Sequence, residues 1–178
     1  MTISHTDSTL VTGKETAGAV VAPLLDKILA TEPGRAPLVA RLALGAILFP
    51  HGAQHALGWF DGYGFSGTLA WMTGSLGFPA PLAALGIVTE LLAPLALIAG
   101  AGGRLAAALL FFHMGFAASI HFKHGFFMNW FGSLATGEEG FEYHLLAMAL
   151  AVVVAILGSG SFSIDRKLAR ARVTSGAS

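Results

Sequence analysis

The 178-residue chain contains no cysteine and no excess of charge of either sign. The lack of cysteine excludes disulfide bonds, thiolate metal sites, cysteine-ligated iron–sulfur clusters and cysteine nucleophiles. Any redox chemistry must therefore use a bound cofactor or a partner protein. Lys and Arg together number 10, as do Asp and Glu, so the formal net charge is zero. Without a basic surface to neutralise phosphates, the chain is not expected to bind nucleic acid.

Charged residues are also scarce overall. They make up 11% of the chain against 54% hydrophobic residues, and the mean hydropathy is +0.70. Since a soluble domain has about 25% charged residues, this composition predicts an integral membrane protein whose first partner is the lipid bilayer.

Four apolar segments are long enough to be membrane spans, because about 20 residues cross the hydrocarbon core. We place the spans near 38–58, 79–100, 104–121 and 143–158. The sequence thus predicts an all-α, four-helix transmembrane domain over residues 37–160. Residues 1–36 form a tail whose apolar patch, "GAVVAPLLDKILA", is compatible with a short interfacial helix. Residues 161–178 form a second, basic tail.

The placement of basic residues orients the predicted bundle, because Lys and Arg are retained on the cytoplasmic side. Nine of the ten precede the first span, lie in the second connection or follow the fourth span, and Lys123 alone lies on the other side. The nine are Lys14, Lys27, Arg35, Arg41, Arg104, Arg166, Lys167, Arg170 and Arg172. Both termini are therefore predicted to be cytoplasmic.

Glu90 is the polar residue placed deepest in a predicted span. Counted from Pro79 at about 1.5 Å per residue, it lies roughly 16 Å into the second span, where an unpaired carboxylate is costly. His113 reaches a similar depth from the opposite direction and is the partner that the sequence predicts. The pair is a candidate catalytic site, and a structural hydrogen bond between helices is the alternative.

Histidines and carboxylates collect at the outer ends of the predicted spans. In "FPHGAQHALGW", His51 and His55 lie four residues apart, on one helical face of the first span. With His121, His124 and Glu142 they predict an outward-facing polar pocket. A histidine pair at this spacing also occurs in metal sites, so His51, His55, His121 and His124 are candidate metal ligands. His144 lies at the same outer level, at the start of the fourth span. For His124 and His144 the alternative to a functional role is hydrogen bonding to head groups or backbone at the membrane interface.

Several segments together resemble the DoxX family of small four-helix bacterial membrane proteins. The resemblance rests on "RLALGAILFPHGAQH" in the first span, "LGIVTELLAPLALIAG" around Glu90, "HFKHGFF", "GFEYHLL" and the closing "GSGSFSID". It extends from about residue 41 to residue 165, and its specificity lies in the order of these segments.

The resemblance implies a location in the bacterial inner membrane and, in some relatives, association with thiosulfate:quinone oxidoreductase or other membrane redox complexes. His51, Gly52, Glu90 and the adjacent pair Glu142 and Tyr143 match positions that are recurrently polar in the family. His55 departs from the pattern, which usually has lysine after the glutamine, so an anion-binding role is not carried over. The imidazole adds a possible ligand instead.

Two classes of function follow from these residues. In the first, the protein is a quinone-interacting subunit of a membrane oxidoreductase complex. Its catalytic residues are then Glu90, His113, His51 and Glu142, and its cofactor-binding residues are His51, His55, Glu90, His113 and His121. In the second, the histidines bind a metal or haem, or the protein is a non-catalytic membrane anchor.

Overall fold

The computed structural model describes Pro23 and residues 26–135 and 137–175. Within this part of the chain all regular structure is helical, which confirms the all-α prediction. The helices are α1 (Arg35–Leu57), α2 (Gly64–Gly74), α3 (Ala80–Ala99), α4 (Gly103–His121), a 3₁₀ turn (Phe122–His124), α5 (Glu142–Leu157) and α6 (Ile164–Ser175).

Three of these helices are long and apolar enough to cross a membrane: Arg35–Leu57, Ala80–Ala99 and the α4 segment with its 3₁₀ turn, Gly103–His124. The chain is therefore a multi-pass membrane protein. The apolar helix α5 is shorter, with 16 residues. A fourth span at α5 and the orientation of the termini stay predictions.

The four helices α1, α3, α4 and α5 pack around a core of aliphatic and small side chains. Leu48, Leu97, Leu110 and Val154 contribute one buried aliphatic side chain from each helix. Alanines that are fully buried in the same core let the helix backbones approach closely. Large apolar side chains such as Phe112 lie on the outer surface, as a helix bundle in contact with lipid requires.

Close contact between α1 and α3 depends on Gly52. A Cβ atom built at this position would overlap the carbonyl oxygen of Glu90 and lie 2.7 Å from Leu91 Cα. Only glycine therefore permits the observed approach of the two backbones, and this approach brings the side chains of α1 that follow Gly52 towards Glu90.

Arg41 joins the helix ends at the opposite end of the bundle. The sequence indicates only a charge flanking the first span at this position, whereas in the structure Arg41 is 2% exposed. Its Nη1 donates to the carbonyls of Leu97 and Ile98 at 2.7 Å, and its Nε donates to the backbone carbonyl of Ser159 at 2.8 Å. The last carbonyls of a helix lack partners in the regular helical pattern, so Arg41 adds donors at the end of α3, where the Leu97 carbonyl also accepts from the Gly100 N–H at 3.1 Å.

Asp165, in the first turn of α6, caps the start of α4. Its carboxylate accepts hydrogen bonds from the backbone N–H groups of Gly102 at 2.7 Å and Gly103 at 3.0 Å, and from the Ser159 hydroxyl at 2.6 Å. A carboxylate is favoured at a helix N-terminus, where backbone donors are unpaired. The beginning of α6 is thereby fixed to the end of the bundle.

Two helices lie in segments where sequence analysis predicted none. Helix α2 forms in the glycine-rich connection after the first span, and α6 forms in the basic tail. The connection turns back tightly because Gly62 packs against the backbone of Gln54, where a Cβ atom would lie 2.6 Å from Gln54 Cα. Of the predicted interfacial helix, residues 26–29 are helical, and most of that patch lies outside the described residues.

Candidate functional site

A cavity of about 590 Å³ lies between α1, α2, α3, α4 and the start of α5. This volume is typical of sites that bind small molecules, which are mostly apolar with a few convergent polar groups. Most of its wall comes from aliphatic, methionine and aromatic side chains, among them Leu48, Met72, Ile87, Met114 and Phe116. Five of the predicted site residues also line it: His51, His55, Glu90, His113 and His121.

Glu90 lies on α3 with its carboxylate between two imidazoles. Its Oε2 is 2.6 Å from Nδ1 of His55 and 3.8 Å from Nε2 of His113, and the residue is 6% exposed. His113 is the partner of Glu90 that the sequence predicts. The structure places His113 beside Glu90, but makes His55 the nearer partner, because Gly52 lets α1 approach α3.

The two contacts of Glu90 differ in kind. The distance to His55 is that of a charge-assisted hydrogen bond, whereas 3.8 Å to His113 exceeds hydrogen-bond length. Both imidazoles approach the same oxygen, and no other described residue donates a hydrogen bond to the carboxylate. The site therefore has one proton between His55 and Glu90, a second carboxylate oxygen without a donor among the described residues, and a second imidazole nearby.

Three further imidazoles and a phenol line the outer part of the cavity. Nδ1 of His121 donates to the carbonyl of Glu139 at 2.7 Å, which leaves Nε2 as the acceptor. The ring of His121 lies 4.9 Å from that of His144, and the ring of His51 lies 6.1 Å from that of Tyr143. The arrangement gives the cavity a second polar region besides that of Glu90.

Tyr143 and His144 are not among the catalytic, cofactor-binding or metal-binding residues predicted from the sequence. His144 is 8% exposed and, like Tyr143, lines the cavity. Their position in the sequence could have identified them. Tyr143 and His144 directly follow the predicted site residue Glu142, at the start of the last apolar segment. The first turn of α5 directs these two side chains into the bundle.

Glu142 and His124 are the predicted site residues that do not line the cavity. Glu142 Oε1 instead accepts hydrogen bonds from the Met128 backbone N–H at 2.9 Å and from Trp130 Nε1 at 2.5 Å. No ion pair joins it to His51 in the part of the chain that the structure describes. These two contacts hold the loop between α4 and α5 against the start of α5.

The candidate metal ligands do not come together. Within residues 26–135 and 137–175, no group of three or more His, Asp or Glu side chains has an arrangement that could hold a metal ion. His51 and His55 lie one turn apart on α1, and the rings of His121 and His124 lie 6.3 Å apart, whereas His55 is engaged by Glu90. The structure gives the metal hypothesis no geometric support.

The fold and the cavity define a class: a multi-pass helical membrane protein with a buried carboxylate–imidazole site. The model of the DoxX family matches residues 36–125, just over half of the chain. The chain therefore belongs to the DoxX family, as the resemblance predicted. The match covers Glu90 and the histidines of α1 and α4, and ends before α5. Searches of curated proteins and of solved structures give no match.

Proposed function

We propose that this protein is a quinone-binding subunit of an oxidoreductase complex in the bacterial inner membrane. The observation that carries the proposal is the position of Glu90. It is a buried carboxylate in a membrane-spanning helix, flanked by His55 and His113 on the wall of a mostly apolar cavity of about 590 Å³. An ionisable residue at this depth costs free energy, which supports a functional role for Glu90.

The residues of the cavity fit a quinone head group. A quinone has apolar ring faces and carbonyl oxygens that accept hydrogen bonds, so it requires apolar walls and a small number of donors. Met114 and Phe116 supply apolar wall. The imidazoles of His55 and His113 supply donors beside Glu90, and Tyr143 and His144 supply donors in the outer part of the cavity.

The side chains also suit proton transfer. A bound quinone supplies two-electron redox chemistry, which requires protons at its oxygens. His55 and Glu90 hold one proton in their 2.6 Å contact. A carboxylate and an imidazole are the usual proton donors and acceptors near neutral pH. His113, 3.8 Å from the same carboxylate oxygen, is placed to exchange a proton with Glu90 after a small side-chain movement.

The electrons must come from elsewhere. The chain has no cysteine for an iron–sulfur cluster or a catalytic dithiol. A redox subunit or substrate on the outer side is therefore the electron donor in this proposal. The role of the present chain is to bind the quinone within the membrane and to provide its protons.

Trp71 offers a direct assay, because it lines the cavity and quinones quench tryptophan fluorescence. Purified protein in lipid nanodiscs is titrated with a short-chain ubiquinone or menaquinone. We expect saturable quenching that is lost in Trp71→Phe. Glu90→Gln should weaken binding about tenfold or more, because the amide no longer forms the charge-assisted hydrogen bond that orients the His55 donor, and such a bond contributes about 1.5–3 kcal/mol. Glu138→Gln, whose side chain lies outside the cavity, is the matched control.

Two results would overturn the proposal. The first is wild-type quinone affinity in both Glu90→Gln and His113→Ala. The second is a stoichiometric Soret band, or a stoichiometric metal, in the purified wild-type protein. That result would replace the quinone with the haem or metal of the alternative hypothesis.

A further inference from the structure

Phe162 has an unusual backbone at the end of the bundle opposite the cavity. It precedes α6, has a φ of 53°, and leaves its side chain 87% exposed. A left-handed conformation is strained for a bulky residue and persists only where neighbouring contacts hold it. Arg41 Nη2 holds this conformation through a 2.9 Å hydrogen bond to the Phe162 carbonyl. The protein therefore fixes an aromatic side chain outward, away from its own core.

The position of Phe162 and α6 along the bundle is fixed by hydrogen bonds to the ends of membrane-spanning helices. The backbone N–H of Asp165 donates to the carbonyl of Gly100, directly after α3, and the Asp165 carboxylate caps α4. Helix α6 thus begins beside the end of one candidate span and the start of the next, and the ends of spans lie at the boundary between hydrocarbon and head groups in a bilayer. At its other end, Arg172 pairs with Asp26 at 2.7 Å.

The surface of α6 combines an apolar strip with basic side chains. Ile164 and Leu168, one helical turn apart, are 42% and 47% exposed. Lys167 and Arg170 are exposed beside this strip, and neither side chain has a hydrogen bond or ion pair with a described residue. A helix with this pattern lies at a membrane surface, with its apolar side chains among acyl chains and its cations at the head groups.

We propose that Phe162 and α6 form a binding site for anionic phospholipids in the leaflet on this side of the membrane. Phe162, Ile164 and Leu168 contact the upper acyl chains. Lys167 and Arg170 bind the phosphate and the anionic head group. The arrangement favours an anionic lipid over a protein partner. The exposed apolar side chains suit the acyl-chain layer of a bilayer, and the adjacent basic side chains suit the head-group layer. This proposal is independent of the quinone site.

The test uses the full chain in detergent and native mass spectrometry to count bound lipids. The probes are phosphatidylglycerol and phosphatidylcholine with identical acyl chains. The wild type should bind phosphatidylglycerol more tightly. In K167Q/R170Q that affinity should fall about 25-fold, at about fivefold for each basic side chain removed near the membrane surface. Phosphatidylcholine, whose choline balances the charge of its phosphate, should lose much less affinity than phosphatidylglycerol. Lys123→Gln, which removes the cation of the other side, is the matched control.

Phe162→Ala separates the apolar contribution from the charge, because it should weaken both lipids equally. Because the substituted side chains are exposed, each variant should have the thermal transition of the wild type. An unchanged transition verifies that the bundle is intact. Unchanged phosphatidylglycerol affinity in K167Q/R170Q would overturn the proposal. So would complete competition by inorganic phosphate, which would identify a site for free anions.

Discussion

Gly52→Ala tests whether the close approach of α1 and α3 builds the site. A Cβ atom at Gly52 would lie 2.6 Å from the Glu90 carbonyl carbon, and comfortable contact requires at least 3.4 Å. Because the obstacle is helix backbone and the carbonyl oxygen of Glu90 lies nearer still, the two helices must separate by at least about 0.8 Å. Overpacking of this kind costs about 1–3 kcal/mol in stability.

The same separation weakens the contact between His55 and Glu90. His55 lies on α1 one turn after Gly52, so their distance increases from 2.6 Å to about 3.4 Å, beyond the usual range of hydrogen bonds. Loss of such a bond is worth about 1.5 kcal/mol, or roughly a tenfold loss of quinone affinity. Trp71 quenching measures the affinity, and the thermal transition measures the stability.

Gly115→Ala is the matched control within the bundle. Its Cβ atom would meet only the flexible end of Met148, at 3.5 Å and beyond, so stability and quinone affinity should stay at wild-type values. If Gly52→Ala binds quinone as tightly as the wild type, the argument that this glycine positions the site is refuted.

The remaining predictions concern the rest of the fold. Arg41→Lys should lower the thermal transition strongly, since each lost hydrogen bond to a charged group costs about 1.5–3 kcal/mol; an unchanged transition would contradict its role at the helix ends. Asp165→Asn should cost about 1 kcal/mol through the weakened cap, measured in the same way. Glu142→Gln should speed proteolysis of the loop between α4 and α5 and leave quinone affinity within twofold; equal proteolysis would contradict its role in the loop. A reporter fused after Ser178 should report the cytoplasm, and an external signal would reverse the predicted orientation.

Much of the site was predictable because a membrane leaves few places for polar residues. The depth of Glu90 and His113 followed from a rise of about 1.5 Å per residue. The four-residue spacing of His51 and His55 placed both on one face. These rules locate a side chain along and around its own helix, which is sufficient when a span contains only one or two polar residues.

The closest pairing was not predictable, because it depends on how near two helices come. His55 rather than His113 contacts Glu90 at 2.6 Å, as a consequence of the bare backbone at Gly52. The burial of Arg41 depends similarly on unpaired carbonyls at the ends of other segments. Helix α2 required the close packing of Gly62 on α1, which no local periodicity indicates.

Photolabelling with an azidoquinone tests the central claim most directly. Purified protein in nanodiscs is irradiated with the probe, with and without excess unlabelled quinone, and the modified peptides are identified by mass spectrometry. We predict competed labelling of cavity residues such as Met72, Met114 and Phe116, reduced in Glu90→Gln. Labelling confined to outward-facing residues such as Leu85 and Leu92, without competition, would contradict a quinone site in this cavity.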